Sequence, residues 1–102
     1  MELTGEQRRY LRALAHSLNP VVTIGNQGLT AAVIREIAQS LDAHELIKIR
    51  VHSGDRETRL TMYHTICQDL DASPVQHIGK LLILYRPTTN IPKVTLPKEK
   101  KR

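Results

Sequence analysis

Aromatic residues are scarce in this sequence. Its 102 residues include three tyrosines, and neither phenylalanine nor tryptophan occurs. Domains that recognise RNA by stacking unpaired bases on aromatic rings need several such side chains. The composition therefore disfavours an RRM or an OB-fold, and any RNA binding would depend on backbone contacts and charge.

Cysteine and long apolar segments are also lacking. Cys67 is the single cysteine, so no disulfide can form within the chain, which fits a cytoplasmic protein. No apolar run approaches the roughly 18 residues that indicate a membrane span. The first residues of the sequence have neither the basic start nor the apolar stretch of a signal peptide. We expect a cytoplasmic monomer without membrane association.

Charge is unevenly distributed along the chain. Residues 1–85 carry nine basic and nine acidic side chains, whereas residues 86–102 carry six basic and one acidic. The net charge of +5 thus lies at the C-terminal end. A basic segment attracts phosphates without sequence specificity, or it only increases solubility. We predict a domain over residues 1–87 and an extended, proline-containing basic tail over residues 88–102.

Apolar periodicity and turn formers predict three helices and four strands. Thr4 and Gln7 match a capping box at the start of the first helix, and Gly79-Lys80 matches a type II′ hairpin turn. The apolar stripe of the first helix consists of Tyr10, Leu11, Leu14, Ala15 and Leu18. The predicted helices are 5–18, 31–42 and 56–70, and the predicted strands are Val21–Ile24, Leu46–Val51, Val75–Ile78 and Leu81–Tyr85.

The order α-β-α-β-α-β-β indicates a layered α/β domain. Helical crossovers predict parallel pairing of the early strands, and the final hairpin adds one antiparallel strand. The expected fold therefore contains a mixed four-stranded sheet.

A Gly-x-x-Gly turn follows the first predicted strand. It consists of Gly25, Asn26, Gln27 and Gly28, and Thr30 is a suitable N-cap for the helix that comes next. Glycines allow a tight turn and a close approach of the backbone, and the start of a helix is favourable for an anion. The turn is therefore a candidate phosphate contact, although a plain turn is the alternative for this motif alone.

Basic side chains outside this turn form further candidate contacts with RNA. Those on the first helix have few acidic neighbours after Glu6, but an ordinary solvated face would look the same. Those at the start of the third helix oppose its dipole, unless they pair with Asp55 or Glu57. The candidates are Arg8, Arg9 and Arg12 on the first helix, Lys48 and Arg50 on the second strand, Arg56 and Arg59 on the third helix, and Lys93, Lys98, Lys100, Lys101 and Arg102 in the tail.

Three blocks of the sequence resemble the CRM domain, the module named for chloroplast RNA splicing and ribosome maturation. They are Val22–Thr30, Ala43–Val51 and Val75–Pro87, and the whole chain is similar to the short bacterial stand-alone members, the YhbY family. The resemblance implies a fold like the C-terminal domain of translation initiation factor 3. It also implies RNA binding, with the glycine turn as a contact, and association with precursors of the large ribosomal subunit. Some members carry a lysine within the turn, where this chain has Asn26 and Gln27.

The sequence offers no recognisable catalytic or metal site. His64 and Cys67 form one pair at ligand spacing, which falls short of a metal site, and the glycine turn lacks the Gly-Lys-Ser/Thr ending of a P-loop. Cys67 lies on an apolar stripe and is expected in the core. We expect no enzyme, no metal and no cofactor, with RNA and possible ribosomal proteins as partners. Three hypotheses remain: an RNA-binding assembly factor, a protein-binding adaptor on the ribosome without direct RNA contact, and a cryptic nuclease.

Overall fold

A computed structural model describes residues 2–88 and 93–97 of the chain. The secondary structure within these residues is α1 (Gly5–Ala15), β1 (Val22–Ile24), α2 (Ala31–His44), β2 (Leu46–Val51), α3 (Arg56–Leu70), β3 (Ser73–Ile78) and β4 (Leu81–Tyr85). The predicted number and order of helices and strands are thus confirmed. Within the described residues, none of the helices has the length and apolar character needed to cross a membrane.

Side-chain caps determine where the three helices begin. Thr4 and Gln7 form the expected capping box at α1, with the Gln7 N–H 3.0 Å from Thr4 Oγ1. Thr30 Oγ1 accepts from the Val33 N–H at 3.1 Å, and Asp55 Oδ1 accepts from the Thr58 N–H at 2.8 Å. These bonds satisfy N–H groups that have no partner within the first helical turn, so the sequence prediction of all three helix starts is confirmed.

The sheet is mixed and has the strand order β1-β2-β4-β3. β1 and β2 are parallel, as predicted, whereas β4 pairs antiparallel with both β2 and β3. β4 lies between β2 and β3, so β3 is an edge strand of the sheet. β2 and β3 still point the same way, as a helical crossover requires. In the hairpin that connects β3 to β4, Gly79 has the positive φ of 56° that a type II′ turn needs.

The sheet separates two hydrophobic cores. The larger core lies under α2 and α3, where side chains such as Ile37, Leu41 and Ile66 pack on the sheet. The smaller core lies under α1 and includes Leu11 and Ala15. This three-layer arrangement leaves part of the sheet face beside α1 uncovered, because one short helix spans only one end of that face.

The structure corrects two sequence predictions for α1. Tyr10 and Leu14, assigned to the apolar stripe, are 39% and 36% exposed. The helix also ends at Ala15 rather than at residue 18. After Ala15 the backbone N–H groups donate to carbonyls three residues back instead of four, as in the bond from the Leu18 N–H to the Ala15 carbonyl at 3.1 Å. The buried stripe is therefore narrower than the apolar pattern, and Leu14 is left at the surface.

β3 begins at Ser73, two residues before the predicted start at Val75, and therefore includes Pro74. Proline is tolerated here because β3 is an edge strand with a register irregularity between Pro74 and Gln76. Tyr63 of α3 stabilises the irregularity, since its hydroxyl accepts from the Val75 N–H at 2.9 Å and donates to the Ile83 carbonyl. Burial raises the pKa of Tyr63, so it remains a neutral phenol.

A buried carboxylate holds part of the C-terminal segment on the domain. Glu45 is 1% exposed, and its backbone has a positive φ of 64° just after α2. Its carboxylate accepts from the Thr88 and Lys93 N–H groups, both at 2.6 Å, and from the Val94 N–H at 2.8 Å. Burial raises the pKa of Glu45, but these hydrogen bonds lower it by more, and the net shift is downward. The carboxylate is thus favoured in its ionised form.

Candidate functional site

The glycine turn lies at the C-terminal end of β1. It closes by a bond from the Gly28 N–H to the Gly25 carbonyl at 3.1 Å, and Gly28 has a φ of +72°. This positive φ favours glycine at position 28. A Cβ built on Gly25 or on Gly28 would meet no atom within 4 Å. The space in front of the turn is therefore open to a ligand.

The turn leads directly into a helix start that suits an anion. The first turn of α2 carries no acidic residue, and the exposed Asn26 and Gln27 side chains add amide donors. The positive end of the helix dipole and the amide groups of the first turn favour negative charge. By contrast, the first turn of α3 carries Glu57 and is capped by Asp55, so the two helix starts differ in electrostatic character.

Three loops meet at the edge of the sheet that contains the glycine turn. The His52 N–H donates to the Ile24 carbonyl at 2.8 Å, and the Val51 N–H donates to the Lys80 carbonyl at 2.8 Å. These bonds place the glycine turn, the segment between β2 and α3, and the β3–β4 hairpin side by side. We call this region the loop edge; it comprises residues 25–28, 52–59 and 77–80.

Arg56 and Arg59 lie at the loop edge beside β3. Arg59 donates from Nη1 to the Gly54 carbonyl at 2.9 Å and from Nε to His77 Nε2 at 3.3 Å. Neither of these acceptors is a carboxylate. Asp55 is nevertheless close enough to interact with Arg59: hydrogen bonds with Thr58 lower the pKa of the Asp55 carboxyl, and the charge of Arg59 lowers it further, so the positive charge of Arg59 is partly offset. Burial lowers the pKa of His77, a hydrogen bond with the Gly79 backbone raises it, and the charges of Arg59 and Arg56 lower it again. The net shift is downward, which favours the neutral imidazole that accepts from Arg59.

Lys48 and Arg50 occupy the sheet face that α1 only partly covers. Arg50 is exposed and lies in register with Thr23 on β1 and Leu81 on β4, close to the loop edge. Lys48 is half-buried and lies two residues farther from that edge. Lys48 and Arg50 alternate along β2 with the buried Ile47, Ile49 and Val51, so the two side chains share one face of the sheet, as predicted.

The remaining predicted cations lie away from the loop edge or outside the described residues. Arg8 is half-buried, with Nε 3.5 Å from the Pro74 carbonyl at the outer edge of β3, and Arg9 and Arg12 are on the same helix. Lys93 lies in the segment held by Glu45. The structure thus does not gather all the candidates into one site. Lys98, Lys100, Lys101 and Arg102 lie outside the described residues.

Sequence reasoning missed three residues. Lys80 is exposed at the loop edge, but its hairpin was interpreted only as a turn. Arg86 was counted with the basic tail, yet it donates to the Leu70 carbonyl at 2.9 Å and pairs with Asp42 at 2.7 Å, so it links α3 to α2. The role of Glu45 could not be inferred, because its partners are backbone N–H groups more than 40 residues away in sequence.

Cys67 is half-buried against the larger core, and burial raises the pKa of its thiol to about 11. This is close to the core position expected from its apolar stripe. Among the described residues, no group of three or more His, Cys, Asp or Glu side chains is arranged to hold a metal ion.

A model of the CRS1/YhbY (CRM) domain family matches residues 3–86, which is most of the chain. The chain belongs to the CRM domain family. A CRM relative from Haemophilus influenzae, named an RNA-binding protein, is 44% identical over 97 residues, which cover 95% of this chain and 97% of the relative. Bacillus subtilis YqeI is 34% identical, with 93% of this chain and 99% of the relative covered.

The CRM fold is also found in a solved structure. The solution structure of SAV1595 from Staphylococcus aureus superposes with a TM-score of 0.82 at 33% identity, covering 94% of this chain and all of that one. The resemblance predicted from three sequence blocks is therefore confirmed, as is the α/β fold with a mixed sheet. The likeness to translation initiation factor 3 stays a prediction.

Proposed function

We propose that this protein binds RNA through the loop edge as a non-catalytic factor. The observation that carries the proposal is an open glycine turn at an acid-free helix start, on the same edge as Arg56, Arg59 and Lys80. Backbone amides and fixed cations contact phosphates without reading the bases. That mode of binding fits a chain with three tyrosines, and the H. influenzae relative is named an RNA-binding protein.

The RNA that we propose is ribosomal RNA in a precursor of the large subunit, with this protein as an assembly factor. The support is the family resemblance, because the loop edge has a geometry suited to phosphates and carries no information on which RNA is bound. The proposed cytoplasmic location follows from this role. The proposed contacts are the glycine turn, Arg50, Arg56 and Arg59, with the tail cations adding non-specific attraction.

Sedimentation of cell extract tests the choice of RNA. The protein should migrate with precursors of the large subunit and be depleted from mature ribosomes and polysomes. Equal distribution over mature subunits, polysomes and the unbound pool would contradict the role in assembly. RNA binding by the purified protein is a separate measurement, so a failure of the ribosomal role does not by itself remove the proposed RNA binding.

A protein-binding adaptor is the second candidate, and exposed apolar side chains favour it. Ile78 is 51% exposed and shares a cross-strand row with Leu81 and Arg50 on the uncovered sheet face. Such a surface could pack against a ribosomal protein. Binding to ribosomal proteins that persists after nuclease treatment, together with no affinity for purified RNA, would favour this candidate over the first.

A further inference from the structure

A cavity of about 540 Å³ lies at the opposite end of β1 from the glycine turn. It opens between the C-terminal ends of α1 and α2 and the first half of β2. Leu14 and Val21, which are 36% and 44% exposed, form part of its wall. These side chains are apolar, yet neither core covers them. The cavity thus accounts for two of the large hydrophobic residues left at the surface.

The charged side chains that line this cavity are two lysines. Lys48 comes from β2 and Lys93 from the C-terminal segment, Ser17, Asn19 and His44 are the other polar residues, and no carboxylate-bearing residue is among the residues that line it. A second cavity of about 550 Å³ beside α3 has no lysine or arginine in its lining. Only the first therefore combines an apolar wall with positive charge, a combination that suits a nucleotide.

Glu45 determines where Lys93 lies. Its carboxylate accepts from the Lys93 N–H at 2.6 Å and from the Val94 N–H at 2.8 Å, and Val94 itself lines the cavity. The backbone that carries Lys93 is thereby fixed beside Lys48, although 45 residues separate the two in sequence. Glu45 is thus a positioning residue. Its carboxylate accepts hydrogen bonds from backbone N–H groups, which leaves the Lys93 side chain available to bind a phosphate.

We infer that this cavity is a second contact for the RNA strand bound at the loop edge, holding one nucleotide with its phosphate between Lys48 and Lys93 and its base or sugar against Leu14 and Val21. The inference rests on the proposed RNA binding. Val21 directly precedes the edge strand β1 and is three residues from its last residue, Ile24, which is about 10 Å in an extended backbone. A single RNA strand bound along β1 would therefore reach from the glycine turn to the cavity.

Two substitutions of Ala43 that differ in charge but have nearly the same shape offer a test. It is exposed on α2 and lines the cavity, so Ala43→Glu places a carboxylate beside the lysines, whereas Ala43→Gln adds the same bulk without charge. The probe is a labelled single-stranded uridine 12-mer at about 0.1 M salt. Removing one phosphate contact weakens binding by about fivefold there. We expect A43E to bind at least about fivefold more weakly than A43Q.

Charge removal gives an independent readout. The double variant Lys48→Gln/Lys93→Gln should lower the slope of log affinity against log salt by about 0.7, since the one phosphate between the two lysines is then no longer neutralised. Arg35→Gln, which removes an exposed charge from α2 outside the cavity, should leave that slope unchanged. In NMR titrations of the parent with RNA, the chemical shifts of the Ala43 and Lys48 amides should change and should saturate at the same RNA concentration as that of the Gly28 amide.

The outcomes separate this inference from the proposed function. If the parent binds the RNA but A43E and A43Q, both folded by thermal unfolding, bind equally, the cavity contact is overturned and RNA binding at the loop edge stands. If uridine monophosphate alone saturates the cavity at lower concentration than the 12-mer, the cavity takes free nucleotides and the inference is overturned. If the parent binds no RNA at low salt, both proposals are overturned.

Discussion

Replacing Gly28 with aspartate should weaken RNA binding and leave the domain folded. The substitution adds a carboxylate at the glycine turn, where no atom lies within 4 Å of the new Cβ. Its cost to stability comes from the φ of +72°, a region that aspartate and asparagine visit more readily than most residues, at about 1 kcal/mol. For a domain of this size, that lowers the melting temperature by about 4–8 °C.

The effect on binding follows from charge repulsion. A phosphate about 7 Å from the new carboxylate is repelled by about 0.6 kcal/mol in bulk water and by about 2.4 kcal/mol at an effective dielectric constant of 20. The expected loss of affinity is therefore about threefold to sixtyfold. Gly28→Asn is the matched control, because it has nearly the same shape and backbone strain without the charge.

Fluorescence anisotropy with a labelled single-stranded RNA measures the dissociation constants of the parent and both variants, and thermal unfolding verifies that each is folded. The reasoning predicts that G28N binds nearly as well as the parent and that G28D binds more weakly. Equal dissociation constants for folded G28D and G28N would refute it. The phosphate contacts would then have to be sought near Arg50, Arg56 and Arg59.

Three further predictions concern Glu45, His77 and the end of the chain. Glu45→Gln should lower the free energy of unfolding, measured with urea, by about 1–3 kcal/mol, because buried N–H groups lose a charged acceptor. The difference in free energy of unfolding between the parent and the variant should be complete above pH 4.5, the ordinary pKa of the group. It should disappear as the pH falls through the lowered pKa of Glu45 in the folded protein. RNA at the loop edge should raise the pKa of His77, so affinity should increase as the pH falls; an NMR titration that finds the same pKa with and without RNA would exclude a phosphate nearby. Deleting residues 98–102 should reduce the salt slope of RNA binding by about 0.7 for each phosphate that these residues neutralise and leave the melting temperature unchanged; an unchanged slope would show that these residues affect solubility only.

Local signals in the sequence were sufficient for the secondary structure. Thr4, Thr30 and Asp55 each cap a helix by a bond to an N–H three residues ahead, and such short-range chemistry can be inferred from spacing. The strand order could not be inferred in the same way. The position of β4 between β2 and β3 depends on pairing between segments about 35 residues apart, for which the hairpin signal at Gly79 gives no information.

The candidate site was predicted only in part for a related reason. The positive φ of Gly28 and the helix start at Thr30 follow from local sequence, and both are found in the structure. The contact of Arg59 with His77 joins α3 to β3 and depends on tertiary packing. The same applies to Arg86 and Glu45. Their neighbours in sequence suggest surface residues, but their charged groups contact other parts of the domain.

The attachment at Glu45 is one of two that hold the described end of the chain on the domain. Gln7 Nε2 donates to the Pro97 carbonyl at 3.1 Å at the start of α1, and between these two points Val94 and Leu96 pack against the smaller core. Residues 93–97 therefore extend the cover that α1 gives to this sheet face, and releasing them would expose apolar surface to water.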